Sequence, residues 1–207
     1  MIQNTMRKLV VSEWITLDGV FDADTMNQWW IPYDSVERQE YIKEGILGCD
    51  AMLYGRTTYE MLAPYWSAQK NDDNGPASKL NSVLKYVVSS TLKEANWNNS
   101  TLIKEHVIEE ITKLKQQPGG DILILGSATL VKSLMETDLI DEYRFLIQPI
   151  IMGSGKRFFK DEMVTTRLKL VSTQTYPLGV MVLAYLPIKE LLAQELKKKA
   201  PHSSERI

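Results

Sequence analysis

Two short apolar runs, residues 51–54 (Ala-Met-Leu-Tyr) and 122–125 (Ile-Leu-Ile-Leu), each reach a glycine, then small hydroxyl residues, then a helical pattern. A strand that enters a helix through such a turn is the signature of an α/β chain, and it restricts the fold more tightly than composition does. A third strand pattern, residues 85–89, exits into Ser89-Ser90-Thr91. Continuous apolar runs suit strands buried on both faces of a parallel sheet. Open α/β sheets bind ligands beyond the carboxyl ends of their strands, so three exits carry the functional question: Gly55-Arg56-Thr57-Thr58, Ser89-Ser90-Thr91 and Gly126-Ser127-Ala128-Thr129.

Around these exits the chain reads as follows. Val10, Val11, Trp14 and Ile15 mark an opening strand that ends at the turn Leu17-Asp18-Gly19. Residues 34–48 predict a helix with Val36, Ile42 and Ile46 on its apolar side, a D-x-x-E start from Asp34 and Glu37, and a stop at Gly48. Thr57-Thr58-Tyr59-Glu60 offers a T-x-x-E capping box for the next helix, and the polar residues 67–79 predict a surface loop. Val107, Ile111 and Leu114 follow the strand at residues 101–103 with helical spacing, and Leu130, Val131 and Leu134 do the same after Gly126-Ser127. From Glu142 the helical signal disappears. Residues 143–152, 168–176 and 180–186 predict three longer strands, where the sheet turns antiparallel, and residues 188–199 predict a last amphipathic helix.

Charge and cysteine content remove several function classes. The 24 Lys and Arg against 26 Asp and Glu give a formal net charge of −2, without the basic footprint of a nucleic-acid binder. One cysteine, Cys49, and two separated histidines, His106 and His202, allow neither an intramolecular disulfide nor a structural zinc set, so no metal is expected. Glu13 and Asp18 interrupt the first apolar run, which a secretory signal would not tolerate. Ser172, Thr173, Gln174, Thr175 and Pro177 break the longest uncharged stretch, so no membrane span is expected and a cytoplasmic location is.

Gly and hydroxyl residues at a helix start present free backbone N–H groups at the positive end of the helix dipole, which suits a pyrophosphate. Arg56, beside Thr57, adds a planar guanidinium suited to a phosphate monoester. Taken singly each motif also has a structural reading: a capping box, a glycine relieving a turn, ordinary loop composition. None has the full G-x-G-x-x-G or P-loop spacing.

The string Leu53-Tyr54-Gly55-Arg56-Thr57-Thr58-Tyr59-Glu60 resembles the G-R-x-T-[WY]-E motif of the dihydrofolate reductase superfamily. Val87-Val88-Ser89-Ser90 resembles its adenosine-side strand, and Leu123-Ile124-Leu125-Gly126-Ser127 its later pyrophosphate loop. Leu139-Ile140-Asp141-Glu142, Pro149, Gly153-Ser154-Gly155 and Phe158-Phe159 resemble the riboflavin-biosynthesis reductase branch. The resemblance spans residues 7–187, which it makes one reductase-like domain, with 188–207 as a C-terminal helix and tail. It implies a three-layer α/β fold: a mixed, mainly parallel sheet of about eight strands, an antiparallel C-terminal part, and helices on both faces.

The resemblance further implies NADPH as cofactor. Arg56 and Ser90, with Ser89 beside them, match the holders of the adenosine 2′-phosphate. Gly55, Thr57, Thr58, Gly126, Ser127, Ala128 and Thr129 match the pyrophosphate turns, and Asp18 and Gly19 border the nicotinamide. Ser127 departs from the glycine pair usual at that position. Trp29-Trp30-Ile31-Pro32-Tyr33-Asp34 resembles the W-x-x-P-x-D stretch of dihydrofolate reductases, which makes Asp34 the candidate catalytic acid. The same carboxylate reads equally well as a helix cap. Tyr33, the Trp29-Trp30 pair and the Gly153-Ser154-Gly155-Lys156-Arg157 loop favour the riboflavin branch, in which Lys156 or Arg157 would be placed to hold a substrate phosphate or would stand as solvated charges. The zinc deaminase of bifunctional members is excluded, since one cysteine cannot supply its ligand pair.

These readings converge on an NADPH-dependent reductase acting on a small heterocyclic or ribosylaminopyrimidine-type substrate. Dihydrofolate reduction is the alternative within the class, and a non-catalytic NADPH- or ligand-binding protein the alternative outside it. Family members commonly pair through their later strands, which implies a homodimer.

Overall fold

The computed structural model describes residues 6–69 and 75–191. Eight strands form one sheet: β1 (Leu9–Thr16), β2 (Ala51–Gly55), β3 (Leu84–Val88), β4 (Ser100–Ile103), β5 (Ile122–Ile124), β6 (Glu142–Gln148), β7 (Leu168–Thr175) and β8 (Met181–Pro187). Their order is β4-β3-β2-β5-β1-β6-β8-β7. Every pairing from β4 across to β6 is parallel, while β6–β8 and β8–β7 are antiparallel. The antiparallel end is therefore built by the chain that loses its helical signal after Glu142.

Among the described residues six α-helices accompany the sheet: α1 (Met26–Trp29), α2 (Val36–Leu47), α3 (Arg56–Ser67), α4 (Pro76–Ser82), α5 (Val107–Gln116) and α6 (Ala128–Met135). Strand alternation sorts them onto two faces. Leu9, Val11 and Ile15 of β1 pack with Ile111 and Leu114 of α5 and Leu130, Val131 and Leu134 of α6. Val10 packs on the other side with Ile46 of α2, Tyr59 of α3 and Leu80 of α4. Central strands β2 and β5 are buried along their whole length, which explains their unbroken apolar sequence. The three layers and the mixed sheet expected from the sequence are present.

Three local expectations need correction. Helix α2 starts after Ser35, whose Oγ accepts from the Arg38 amide at 3.2 Å; Asp34 is not the cap, and its D-x-x-E box does not form. Helix α3 starts two residues earlier than the Thr57 capping box predicts, because extended Gly55 leads directly into Arg56 without any side-chain cap. Thr57 and Thr58 therefore lie in the first turn with their hydroxyls uncommitted to capping. Within 67–79, the expected surface loop, α4 begins at Pro76, a residue pre-set for a first helical turn. The helix predicted over 188–199 lies largely outside the described residues.

Candidate functional site

The carboxyl ends of β1, β2, β3 and β5 open into a cavity of about 1110 Å³. Its volume exceeds the roughly 300–1,000 Å³ of common small-ligand pockets, leaving room for a dinucleotide and a second, smaller molecule. Three strand exits meet there. Gly55, Arg56, Thr57 and Thr58, the pair Ser89 and Ser90, and Gly126, Ser127, Ala128 and Thr129 all line it.

Glycine lets the first and third exits approach each other. A Cβ on Gly55 would collide with Ser127 Oγ, and one on Gly126 would run into Thr58 Oγ1. Gly126 also adopts φ +65°, a left-handed conformation that L side chains rarely take. The N-termini of α3 and α6 thereby open onto the same cavity, and their first-turn N–H groups form a paired anion seat. Among the described residues, the Arg56, Thr57, Thr58 and Ser90 side chains make no hydrogen bond or ion pair, so their donors remain available to a ligand. Ser127 Oγ instead caps α6 by accepting from the Leu130 amide at 3.3 Å. Ser89 Oγ closes its own turn, accepting from the Thr91 and Leu92 amides at 3.2 and 2.9 Å. Thr129 Oγ1 lies 3.3 Å from Lys160 Nζ, which brings a cation to the α6 start.

The other part of the cavity lining is apolar and aromatic, made by Trp14, Phe21, Met26 and Trp29, with Met61 and Trp66 added from further along α3. Trp29, buried to 2%, is fixed by its indole N–H donating to the Asp22 carbonyl at 3.0 Å. Trp14 stacks on Trp30 with ring centroids 4.1 Å apart. The Trp30 ring in turn lies 4.0 Å beneath the guanidinium of buried Arg38.

Asp18, Gly19 and Asp34 do not line this cavity. Asp18 accepts from Thr16 Oγ1 at 2.6 Å and from the Met152 and Gly153 amides at 3.1 and 2.9 Å. The Thr16 hydroxyl, then the two amides, hold its carboxyl down at about 2. Gly19, at φ +81°, lets the chain turn so that its carbonyl accepts from the Phe158 amide. Both residues build the wall behind the cavity. Asp34 is exposed, and its carboxylate is taken by Arg38 at 2.5 Å and Gln39 at 2.6 Å. Lys156 pairs with Asp22 and Asp24 and Arg157 with Asp18, so these neighbours are tied to the wall by carboxylates.

Several lining residues, Phe21, Met26 and Lys160 among them, are not marked by the sequence motifs, and a buried acid is the most consequential of these. Glu13, on β1 between the core residues Val11 and Ile15, is 4% exposed and lines the cavity. Its Oε1 accepts from the Gly126 amide at 2.8 Å. Burial pushes its carboxyl up to about 8, against the opposing pull of that amide. A single charged residue on the inward face of an otherwise apolar strand was the available signal.

The sequence pattern of the RibD C-terminal domain matches residues 7–182. This chain belongs to the RibD C-terminal domain family. It is 31% identical over 184 residues to the uncharacterized protein YyaP of Bacillus subtilis, covering 86% of this chain and 94% of that one. Its fold is similar to a diaminohydroxyphosphoribosylaminopyrimidine deaminase/5-amino-6-(5-phosphoribosylamino)uracil reductase of Thermotoga maritima, with TM-score 0.64, 15% identity, and coverage of 90% of this chain and 58% of that one. A dihydrofolate reductase of Enterococcus faecalis, solved with NADP(H), superposes with TM-score 0.60 at 14% identity, covering 88% of this chain and 98% of that one. The architecture is thus dihydrofolate reductase-like. Among its described residues no helix is long and apolar enough to cross a membrane.

Proposed function

We propose that this RibD C-terminal-type protein is an NADPH-dependent reductase of a planar heterocyclic substrate, related in chemistry to the pyrimidine reductases of riboflavin biosynthesis. The observation that carries this reading is the opening of two helix N-termini onto one cavity, beside uncommitted Arg56, Thr57, Thr58 and Ser90 side chains. These residues fit the group: the α3 and α6 amides would take the pyrophosphate, and Arg56 and Ser90 the 2′-phosphate. When bound, the reduced nicotinamide supplies hydride. The protein's own contribution is to hold the nucleotide at one end and to offer an apolar aromatic floor at the other. There Trp29, Phe21 and Met26 shed water from a flat ring.

Charge neutralisation of Lys156 and Arg157 by Asp18, Asp22 and Asp24 argues for recognition through the ring more than through a substrate phosphate. The reading extends to a cytoplasmic homodimer. Edge strand β7 exposes Leu170 and Val171, and an unpaired apolar edge is suited to a second copy. Light scattering giving a monomer would remove the dimer. The central test is fluorescence titration with NADPH and NADH, followed by NADPH oxidation with dihydrofolate and with a ribosylaminopyrimidine phosphate. Preferred NADPH binding and turnover of either probe are expected. Equal, millimolar affinities for both nucleotides would overturn the assignment, and tight NADPH binding without turnover of any acceptor would favour a binding protein.

A further inference from the structure

The cavity contains one acid that the nucleotide-binding residues do not explain. Glu13 lines the cavity from β1, an interior strand of the sheet between β5 and β6. One oxygen is fixed by Gly126, and the other has no hydrogen-bond partner among the described residues. In the register of β1 with β6, Glu13 lies beside Phe145, whose ring meets Phe158 at 5.8 Å and Phe159 at 5.5 Å. An ionised carboxylate is poorly solvated in such company.

Resting on the reductase reading, we propose that Glu13 is the proton donor of this cavity, delivering its carboxyl proton to the substrate nitrogen or oxygen that gains charge as hydride reaches the adjacent carbon. The step balances. A C–H bond forms at the substrate carbon, the π pair of the C=N or C=O bond moves to the heteroatom, the Glu13 O–H bond breaks, and an N–H or O–H bond forms. The reduced nicotinamide is oxidised, the substrate is reduced, and the Glu13 carboxylate is reprotonated by water through the open mouth. Gly126 holds the carboxyl in place throughout, which couples the acid to the α6 turn that would seat the pyrophosphate.

Charged groups on the neighbouring elements are engaged elsewhere or stand at the rim. In the turn after β1, Asp18 is bound by Thr16 and by the Met152 and Gly153 amides. On β6, Arg144 pairs with Glu142. On α6, Lys132 pairs with Glu162 and donates to the Asp161 carbonyl. Lys156 and Arg157 pair with Asp22, Asp24 and Asp18, and Lys160 lies against Thr129. Exposed Arg56 on α3 and Asp161 line the same cavity. Burial dominates the Glu13 titration, and the opposing contribution comes from the Gly126 amide and from none of these charges. The acid therefore stays protonated at neutral pH, as a donor must.

The test combines spectroscopy with kinetics. Infrared difference spectra of the protein alone should show a protonated carboxyl band at about pH 6 that disappears with a midpoint near 8 and is missing from Glu13→Gln. With NADPH and the dihydrofolate and ribosylaminopyrimidine phosphate probes, kcat should fall above that midpoint. Glu13→Gln should lower kcat by roughly 100-fold or more, keep the NADPH Kd within about threefold, and lose the alkaline limb, while Glu13→Asp retains part of the rate. A band absent at acid pH, a Glu13→Gln variant with unchanged kcat, or a wild type that binds NADPH and turns over neither probe would overturn the proposal. Wild-type protein that shows the Glu13 band yet fails to bind NADPH breaks the underlying reductase reading, and with it proton delivery in a hydride reaction.

Discussion

The two halves of the cavity are built on opposite principles. The half at the helix starts is polar and locally encoded: Gly55 to Thr58 and Gly126 to Thr129 are each continuous, and each places its donors by starting a helix. The aromatic half is assembled at long range. Phe21 meets Phe158 at 5.7 Å, Trp14 stacks on Trp30, and Glu13 reaches Gly126 across 113 positions of sequence. The first half has uncommitted polar side chains at Arg56, Thr57, Thr58 and Ser90, and in the second the Trp29 indole is already held by the Asp22 carbonyl. The polar lining can therefore be kept while the aromatic lining is varied, because the two are encoded by separate stretches of chain.

The sharpest way to break that contrast is at the contact between the helix starts. Gly126→Ala places a Cβ against Thr58 at a positive φ, and should destabilise the fold by roughly 2–4 kcal/mol and weaken NADPH binding by more than about tenfold. Denaturant unfolding and nucleotide titration check both effects; a stable variant with intact binding would show that the two turns do not act together. Arg56→Ala tests the nucleotide half alone. NADPH affinity should fall roughly 10–100-fold, NADH affinity should hold, and stability should change by less than about 0.5 kcal/mol, since the side chain is exposed.

Asp34→Asn tests the boundary of the aromatic half. It weakens the partner of buried Arg38, so a loss of about 1–2 kcal/mol in thermal unfolding is expected with nucleotide affinity unchanged. Impaired turnover at unchanged stability would return Asp34 to the catalytic role its sequence position first implied. The smallest effect per step is a pH slope. The folded state keeps the Glu13 proton up to about 8, whereas the unfolded chain releases it near 4.5, so stability falls as pH rises through that window. The slope contributed by Glu13 should be at most about 1.4 kcal/mol per pH unit and should vanish in Glu13→Gln.

Legibility in the sequence followed the same division. The helix starts, the parallel core and the change to antiparallel strands after Glu142 were readable because apolar runs, glycines and periodicity are local signals. The caps were misread because Thr57 and Asp34 fit a cap pattern that Gly55 and Ser35 actually occupy; composition cannot tell which of two adjacent polar residues breaks into helix. Asp18 and Gly19 were correctly seen as a turn, yet their partners lie at residues 152, 153 and 158, and only the completed sheet shows that they face the wall. Glu13 stayed hidden for a related reason. Its significance depends on Gly126 and on the closeness of Phe145, neither of which neighbours it in sequence.

The ties from Asp18 to Met152, Gly153 and Arg157 also bear on how this protein is made. The first strand emerges from the ribosome early, but the segment that backs its turn follows 139 residues later. Until then the chain has helix starts able to attract a nucleotide and no rear wall to close the pocket around it. Contacts of such separation form late and slowly. Cofactor capture by a growing chain would thus mark the completion of synthesis through Arg157, and nucleotide added during translation should protect the product from protease only after that residue has emerged.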